Sequence, residues 1–216
     1  ISAVTETLRS GWLTTGPRAA LLEERMASYL EAEHVLAVTS GTAALHLALL
    51  AVGVGPGDEV ITSPITWPAT ANVIEHCGAT PVFCDVRDTD LNIDPALIPT
   101  LVTERTRAIM PVHLAGQPAD LDPILALGLP VVEDAAHAAE SRYRGRKLGG
   151  ISDAACFSLY ATKNIAAGEG GLVATNRDDV AEAIRNMRLT RRGDGSLYDQ
   201  VTAGFKANIV IVPEGS

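Results

Sequence analysis

Residues 34–53, HVLAVTSGTAALHLALLAVG, decide the fold class. HVLAVTS is an apolar run of strand length, and GTAALHLALLAVG reads as an almost wholly apolar helix ending at Gly53. A strand without polar alternation has to be covered on both faces, which is the pattern of a mainly parallel sheet packed between helices. The rest of the chain repeats the theme. GDEVITS, TPVFCDV, RAIMPVHL, LPVVEDA, DAACFSLYA and GGLVATN read as further strands. ISAVTETLRSG, RAALLEERMASYLEAE, WPATANVIEHCG, DLDPILALG and RDDVAEAIRNMRLTRR read as helices. DPALIPTLV is expected as a short helix opened by Asp94 with Pro95 at its first position. The fold class is α/β.

Composition narrows the function classes. The chain has 216 residues, 47% of them hydrophobic but only 4% aromatic, which suits close packing of Ala, Val, Leu and Ile between helices and a sheet. Its formal charge is -9 with no long basic run, so neither nucleic acid nor an anionic membrane is an expected partner. No apolar run approaches the roughly 20 residues of a membrane span. Cys77, Cys84 and Cys156 show no framework spacing and fit a reducing cytoplasm as buried thiols. His76, Cys77, Cys84 and His113 form no recognisable zinc spacing, so no metal is expected. GVGPG follows a helix and precedes a strand, the reverse of a dinucleotide fingerprint, and reads as a turn. The chain opens inside a helix and stops at NIVIVPEGS, and is expected to be a fragment, a processed chain or an incomplete view of a longer one.

In open α/β sheets ligands bind at the carboxyl ends of strands, and candidate chemistry gathers there. In TSGTAA, Gly41, Thr42 and Ala43 put backbone N–H groups at a helix N-terminus, a phosphate site or an ordinary cap by Ser40 or Thr42. Asp134 ends the strand VVED, as a site acid or as the cap of a following helix. Trp67 is a flat surface for a ring or plain core, and Ser158 a second phosphate donor or a strand serine. Lys163, in FSLYATKNIAAGEGG, sits among small and apolar residues. Loss of hydration lowers a lysine pKa and readies the amine for Schiff-base chemistry; the alternative is a strand-end lysine reaching water. His46 falls in an apolar helix and reads as packing, and RLTRRGDGS reads as a solvated loop, the alternative being an approach of Arg191 or Arg192 to a substrate phosphate.

Taken in order, SGWLTTGP, SGTAALHLAL, GPGDEVITSPITWPATANVI, GATPVFCDV, PVHLAGQPAD, VVEDAAHA, GRKLGG and CFSLYATKNIAAGEGG closely resemble the DegT/DnrJ/EryC1/StrS family, from near Gly11 to about Asn208. These are fold-type-I, pyridoxal 5'-phosphate-dependent aminotransferases of nucleotide-linked sugars. The resemblance implies a seven-stranded-type, mainly parallel sheet, with an N-terminal arm (1–16), a cofactor-binding large domain (17–208) and an atypical end (209–216) where a small C-terminal domain would follow. It also implies site roles. Lys163 would carry the cofactor and shuttle the proton at the substrate carbon, and Asp134 would pair with the pyridine nitrogen. Gly41, Thr42, Ala43 and Ser158 would hold the phosphate, Trp67 would stack on the ring, and His137 would lie near the ring hydroxyl, where many members have Gln. Asn208 would reach the partner's cofactor phosphate in a homodimer whose active site is shared across the interface. The implied substrates are glutamate and a nucleotide-linked keto sugar, aminated at C4, for cell-surface polysaccharide or antibiotic sugars. The sugar dehydratase branch carries His at the position of Lys163, which favours the aminotransferases. The competing expectation is a truncated, non-catalytic or regulatory homologue.

Overall fold

A computed structural model describes residues 1–12 and 15–188. Strands β1 (His34–Val38), β2 (Glu59–Thr62), β3 (Thr80–Phe83), β4 (Thr106–Met110) and β5 (Val132–Asp134) alternate with helices α1 (Ser2–Ser10), α2 (Pro17–Leu30), α3 (Gly41–Ala51), α4 (Pro68–His76) and α5 (Leu121–Leu125). A hairpin of β6 (Arg142–Tyr143) and β7 (Arg146–Lys147) follows, then β8 (Ala154–Ser158), β9 (Gly171–Thr175) and α6 (Asp178–Arg188). The runs β1-β9-β8-β5 and β3-β2-β4 join where β4 meets β5, through parallel bridges Ile109–Val131 and Val112–Asp134. The result is one sheet of order β1-β9-β8-β5-β4-β2-β3. Every strand in it is parallel except β9, which runs against both β1 and β8.

The covering on both faces that the apolar strands demanded is present, and alternation along each strand sorts the residues. Leu36, Val38, Val132, Cys156 and Val173 pack against α3, α4 and α6. Val35, Ala37, Ala135, Phe157 and Leu172 meet α2 and α5 on the other side. Pro17 opens α2 and Pro68 opens α4, positions where a missing N–H costs nothing.

Two local expectations change. DPALIPTLV does not form an α-helix: Asp94 accepts from Ala96 N–H, but only a 3₁₀ turn, Ile98–Thr100, develops. Pro99 has no N–H to return to Pro95, and its ring would crowd that carbonyl. GRKLGG, quoted above only as a motif, contains the second strand of the tight hairpin, whose turn residues Arg144 and Gly145 both have positive φ (50 and 84). The GVGPG segment is the expected turn between α3 and β2. The three cysteines are free and buried, and among the described residues no helix is long and apolar enough to cross a membrane.

Candidate active site

The carboxyl ends of β1, β2, β4, β5 and β8 open on one cleft of about 540 Å³. Gly41, Thr42, Trp67, Asp134, His137, Ser158 and Lys163 all line it, although they come from four separate segments of the chain. Asn208, Arg191 and Arg192 lie outside the described residues.

One wall is the N-terminus of α3. Ser40 caps the helix by accepting from Ala43 N–H at 3.0 Å, so this N–H is engaged and Ala43 does not reach the cleft lining. That corrects the expectation for Ala43 as a phosphate donor. The N–H groups of Gly41 and Thr42 precede the first intrahelical bonds and border the cleft. The approach of β8 to this turn is tight: a Cβ on Gly41 would lie 3.0 Å from Ser158 Cβ. Gly171, where β9 begins opposite the end of β1, is tighter still, since a Cβ there would lie 2.2 Å from the Ser40 carbonyl oxygen. Gly171, at the start of β9, therefore lets the cradle close.

Asp134 ends β5 and is buried, 5% exposed. Its Oδ2 accepts from Thr70 Oγ1 at 2.7 Å and its Oδ1 from Ala136 N–H at 3.2 Å. A carboxylate has about four lone-pair positions, so capacity remains for a donor in the cleft. Beneath it, burial pushes the Cys156 thiol well above its ordinary range, with Asp134 and Glu133 adding to the effect. Cys156 is thereby kept as an inert, protonated thiol.

Lys163 sits in the loop that returns β8 into β9. This loop is held by Lys163 N–H to Tyr160 O, Ala161 N–H to Gly168 O and Ala167 N–H to Leu159 O. The loop leaves Lys163 half-buried, so the amine is not enclosed by apolar neighbours as expected. Its Nζ instead lies 2.5 Å from His137 Nε2. Burial lowers the His137 pKa, the Lys163 charge lowers it further, and Asp134 opposes both. Trp67 is the residue just before α4 and is 79% exposed beside the cleft, so it is not core. His46 stands edge-on to His76, ring centroids 5.9 Å apart, away from the cleft lining.

Thr66, Thr70, His113, Tyr160 and Glu169 were not singled out as site residues from sequence. Thr70 is the clearest of these: a β-branched, polar residue at a fully buried helix position. That mismatch with helix propensity was the available signal.

A model of the DegT/DnrJ/EryC1/StrS aminotransferase family matches residues 1–210. The chain belongs to this family. It is 49% identical to the spore coat polysaccharide biosynthesis protein SpsC of Bacillus subtilis, over 97% of this chain and 57% of that protein. It is 45% identical to the UDP-4-amino-4-deoxy-L-arabinose–oxoglutarate aminotransferase of Shewanella sediminis, over 100% of this chain and 56% of that one. Among solved structures, S. venezuelae DesV superposes with a TM-score of 0.91 at 40% identity, over 97% of this chain and 57% of that chain. The chain thus spans somewhat more than half the length of the relatives it matches. The TM-score shows that the fold is shared with the DesV structure. Similar structures include a Streptococcus pneumoniae sugar aminotransferase in PLP and PMP forms.

The cleft fits pyridoxal phosphate on its own terms. It offers backbone N–H groups and a hydroxyl at a helix N-terminus for a phosphate, a carboxylate with spare acceptor capacity, a primary amine, and an exposed indole. The cofactor of this family is pyridoxal phosphate.

Proposed function

We propose that this chain is the cofactor-binding part of an aminotransferase that moves an amino group from glutamate to C4 of a nucleotide-linked keto sugar. One observation carries the reading: Lys163, Asp134 and the α3 N-terminus border a single cleft although 122 positions separate Gly41 from Lys163. The Shewanella sediminis relative supports both finer points, since its name specifies a 4-amino sugar nucleotide and oxoglutarate, the keto acid of glutamate.

The residues divide the work by chemistry. Gly41 and Thr42 N–H groups, with the Thr42 and Ser158 hydroxyls, would bind the phosphate, where the helix dipole favours negative charge. Asp134 would pair with the pyridine nitrogen and keep its proton there. Bound this way, pyridoxal phosphate supplies an electron sink for charge that develops at the substrate carbon. Lys163 would hold and move the proton at the substrate carbon, and its amine would have to be neutral to accept it. His137 Nε2, 2.5 Å away, is placed to exchange a proton with it. Trp67 would cover one face of the ring and exclude water. Asn208, which lies outside the described residues, would complete the phosphate site of a partner subunit in a homodimer. The three buried, unbridged cysteines support a cytoplasmic setting.

The test is to incubate the protein with pyridoxal phosphate, follow its visible band, reduce with borohydride and map the modified peptide by mass. The expected label is on Lys163, with a band that bleaches on adding glutamate and returns with a UDP-linked 4-keto sugar. A band that forms but never bleaches would favour a non-catalytic, cofactor-binding homologue. Label scattered over surface lysines would sink the reading altogether.

A further inference from the structure

We propose that Thr70 is a positioning residue that fixes the Asp134 carboxylate through a hydroxyl relay running from Thr66 to Thr70 to Asp134. The inference rests on the reading of the cleft as a pyridoxal phosphate site. Thr70 is 0% exposed, in the first turn of α4. Its Oγ1 lies 2.7 Å from Asp134 Oδ2 and 2.6 Å from Thr66 Oγ1. An ionised carboxylate only accepts, so the one proton of Thr70 goes to Asp134. Thr70 then has nothing left to donate, and Thr66 must be the donor between the two hydroxyls. The direction of the relay is fixed by counting protons. Its outer end, Thr66, borders the cleft itself.

Packing alone does not account for a threonine here. Thr70 is one of the three buried residues of α4, with Val73 and Ile74, and valine there would have nearly the same shape and no polar atom to satisfy. The position uses the hydroxyl. Thr70 approaches one carboxylate oxygen from α4, while Ala136 N–H holds the other from the loop after β5. Two donors from different elements pin the plane of the carboxylate and leave its remaining lone pairs for the cleft. Linked hydrogen bonds polarise one another, so Thr66 strengthens the hold that Thr70 exerts.

The experiment compares Thr70→Val, Thr70→Ser and Thr66→Val with the wild-type protein. The first readout needs no cofactor: the ¹³Cγ resonance of Asp134 at neutral pH, assigned by Asp134→Asn. The second is the dissociation constant for pyridoxal phosphate by absorbance titration. Thr70→Val is expected to move the resonance and weaken cofactor binding by about tenfold or more, the weight of a hydrogen bond to a charged group. Thr70→Ser should restore both, and Thr66→Val should give a smaller change of the same sign. An Asp134 resonance and cofactor affinity unchanged in Thr70→Val would overturn the inference, as would failure of serine to rescue. If wild-type protein takes no cofactor at Lys163, the reading of the cleft fails, while the resonance still decides whether Thr70 holds Asp134.

Discussion

Glu133 and Asp134 are neighbours on β5 and enter opposite faces of the sheet. Glu133 is 0% exposed and meets His113 Nε2 at 2.7 Å and the Ser152 hydroxyl. His113 Nδ1 in turn accepts from Ala119 N–H at 3.0 Å, so the ring carries its proton on Nε2 and donates it to Glu133. Every partner of this carboxylate comes from the fold. Asp134, almost as deeply placed, has Thr70 and Ala136 for two of its acceptor positions and the cleft for the rest. Burial does not distinguish a structural acid from a functional one. What distinguishes them is whether the chain itself supplies all the partners.

That contrast can be broken by experiment. Asp134→Asn should lower amino transfer by at least about 10²-fold, the scale of a lost electrostatic partner in a dry site, with little change in unfolding free energy. Glu133→Ala should do the reverse. It strands the buried His113 donor and is expected to cost about 2–4 kcal/mol in urea denaturation, while folded protein still binds cofactor. Equal stability losses for the two variants would remove the distinction.

Gly171→Ala tests the cradle from behind. Its methyl group would meet the Ser40 carbonyl, so α3 must shift, at about 1–3 kcal/mol of stability together with weaker binding of pyridoxal phosphate. Tight binding in this variant would mean that the α3 turn does not hold the phosphate. Trp67→Ala should leave stability within about 0.5 kcal/mol, as for an exposed residue, yet weaken cofactor binding by about fivefold through the lost ring contact. An unchanged dissociation constant would return Trp67 to the ordinary surface.

The smallest effect concerns His137. Burial and Lys163 lower its pKa from the ordinary 6.5, so the folded protein disfavours the protonated ring. Its contribution to stability is therefore complete above about pH 6.5 and is lost as pH falls from there toward the lowered value. His137→Gln should flatten this part of the stability–pH curve between pH 7 and 5. A curve of the same shape would show that the contact with Lys163 does not persist in solution.

Much of this was legible in one dimension. HVLAVTSGTAALHLALLAVG yields a strand, a turn and a helix because its apolar residues are continuous and its only small polar residues sit together at Thr39–Thr42. Lys163, Asp134 and Gly41 could be picked out because each follows an apolar run that ends a strand. DPALIPTLV was misread because two prolines four apart satisfy a helix start and forbid its continuation. The reversal of β9 carries no local signal, since a buried strand has the same composition in either direction. Only pairing with β1 and β8 shows it, and that pairing brings Gly171 against Ser40.

The sequence by itself determined the element types, the two-sided burial of the sheet and the residue types able to hold a phosphate, a ring nitrogen and an aldehyde. Those properties follow from local periodicity and from the chemistry of single side chains. The tertiary structure decided which of them meet. It set Thr70 on Asp134 across 64 positions and His137 on Lys163 across 26. It also assigned the Ala43 N–H to Ser40 and enclosed Glu133 away from the cleft. Contacts of this kind depend on how helices pack across a sheet, and no window of neighbouring residues contains that information.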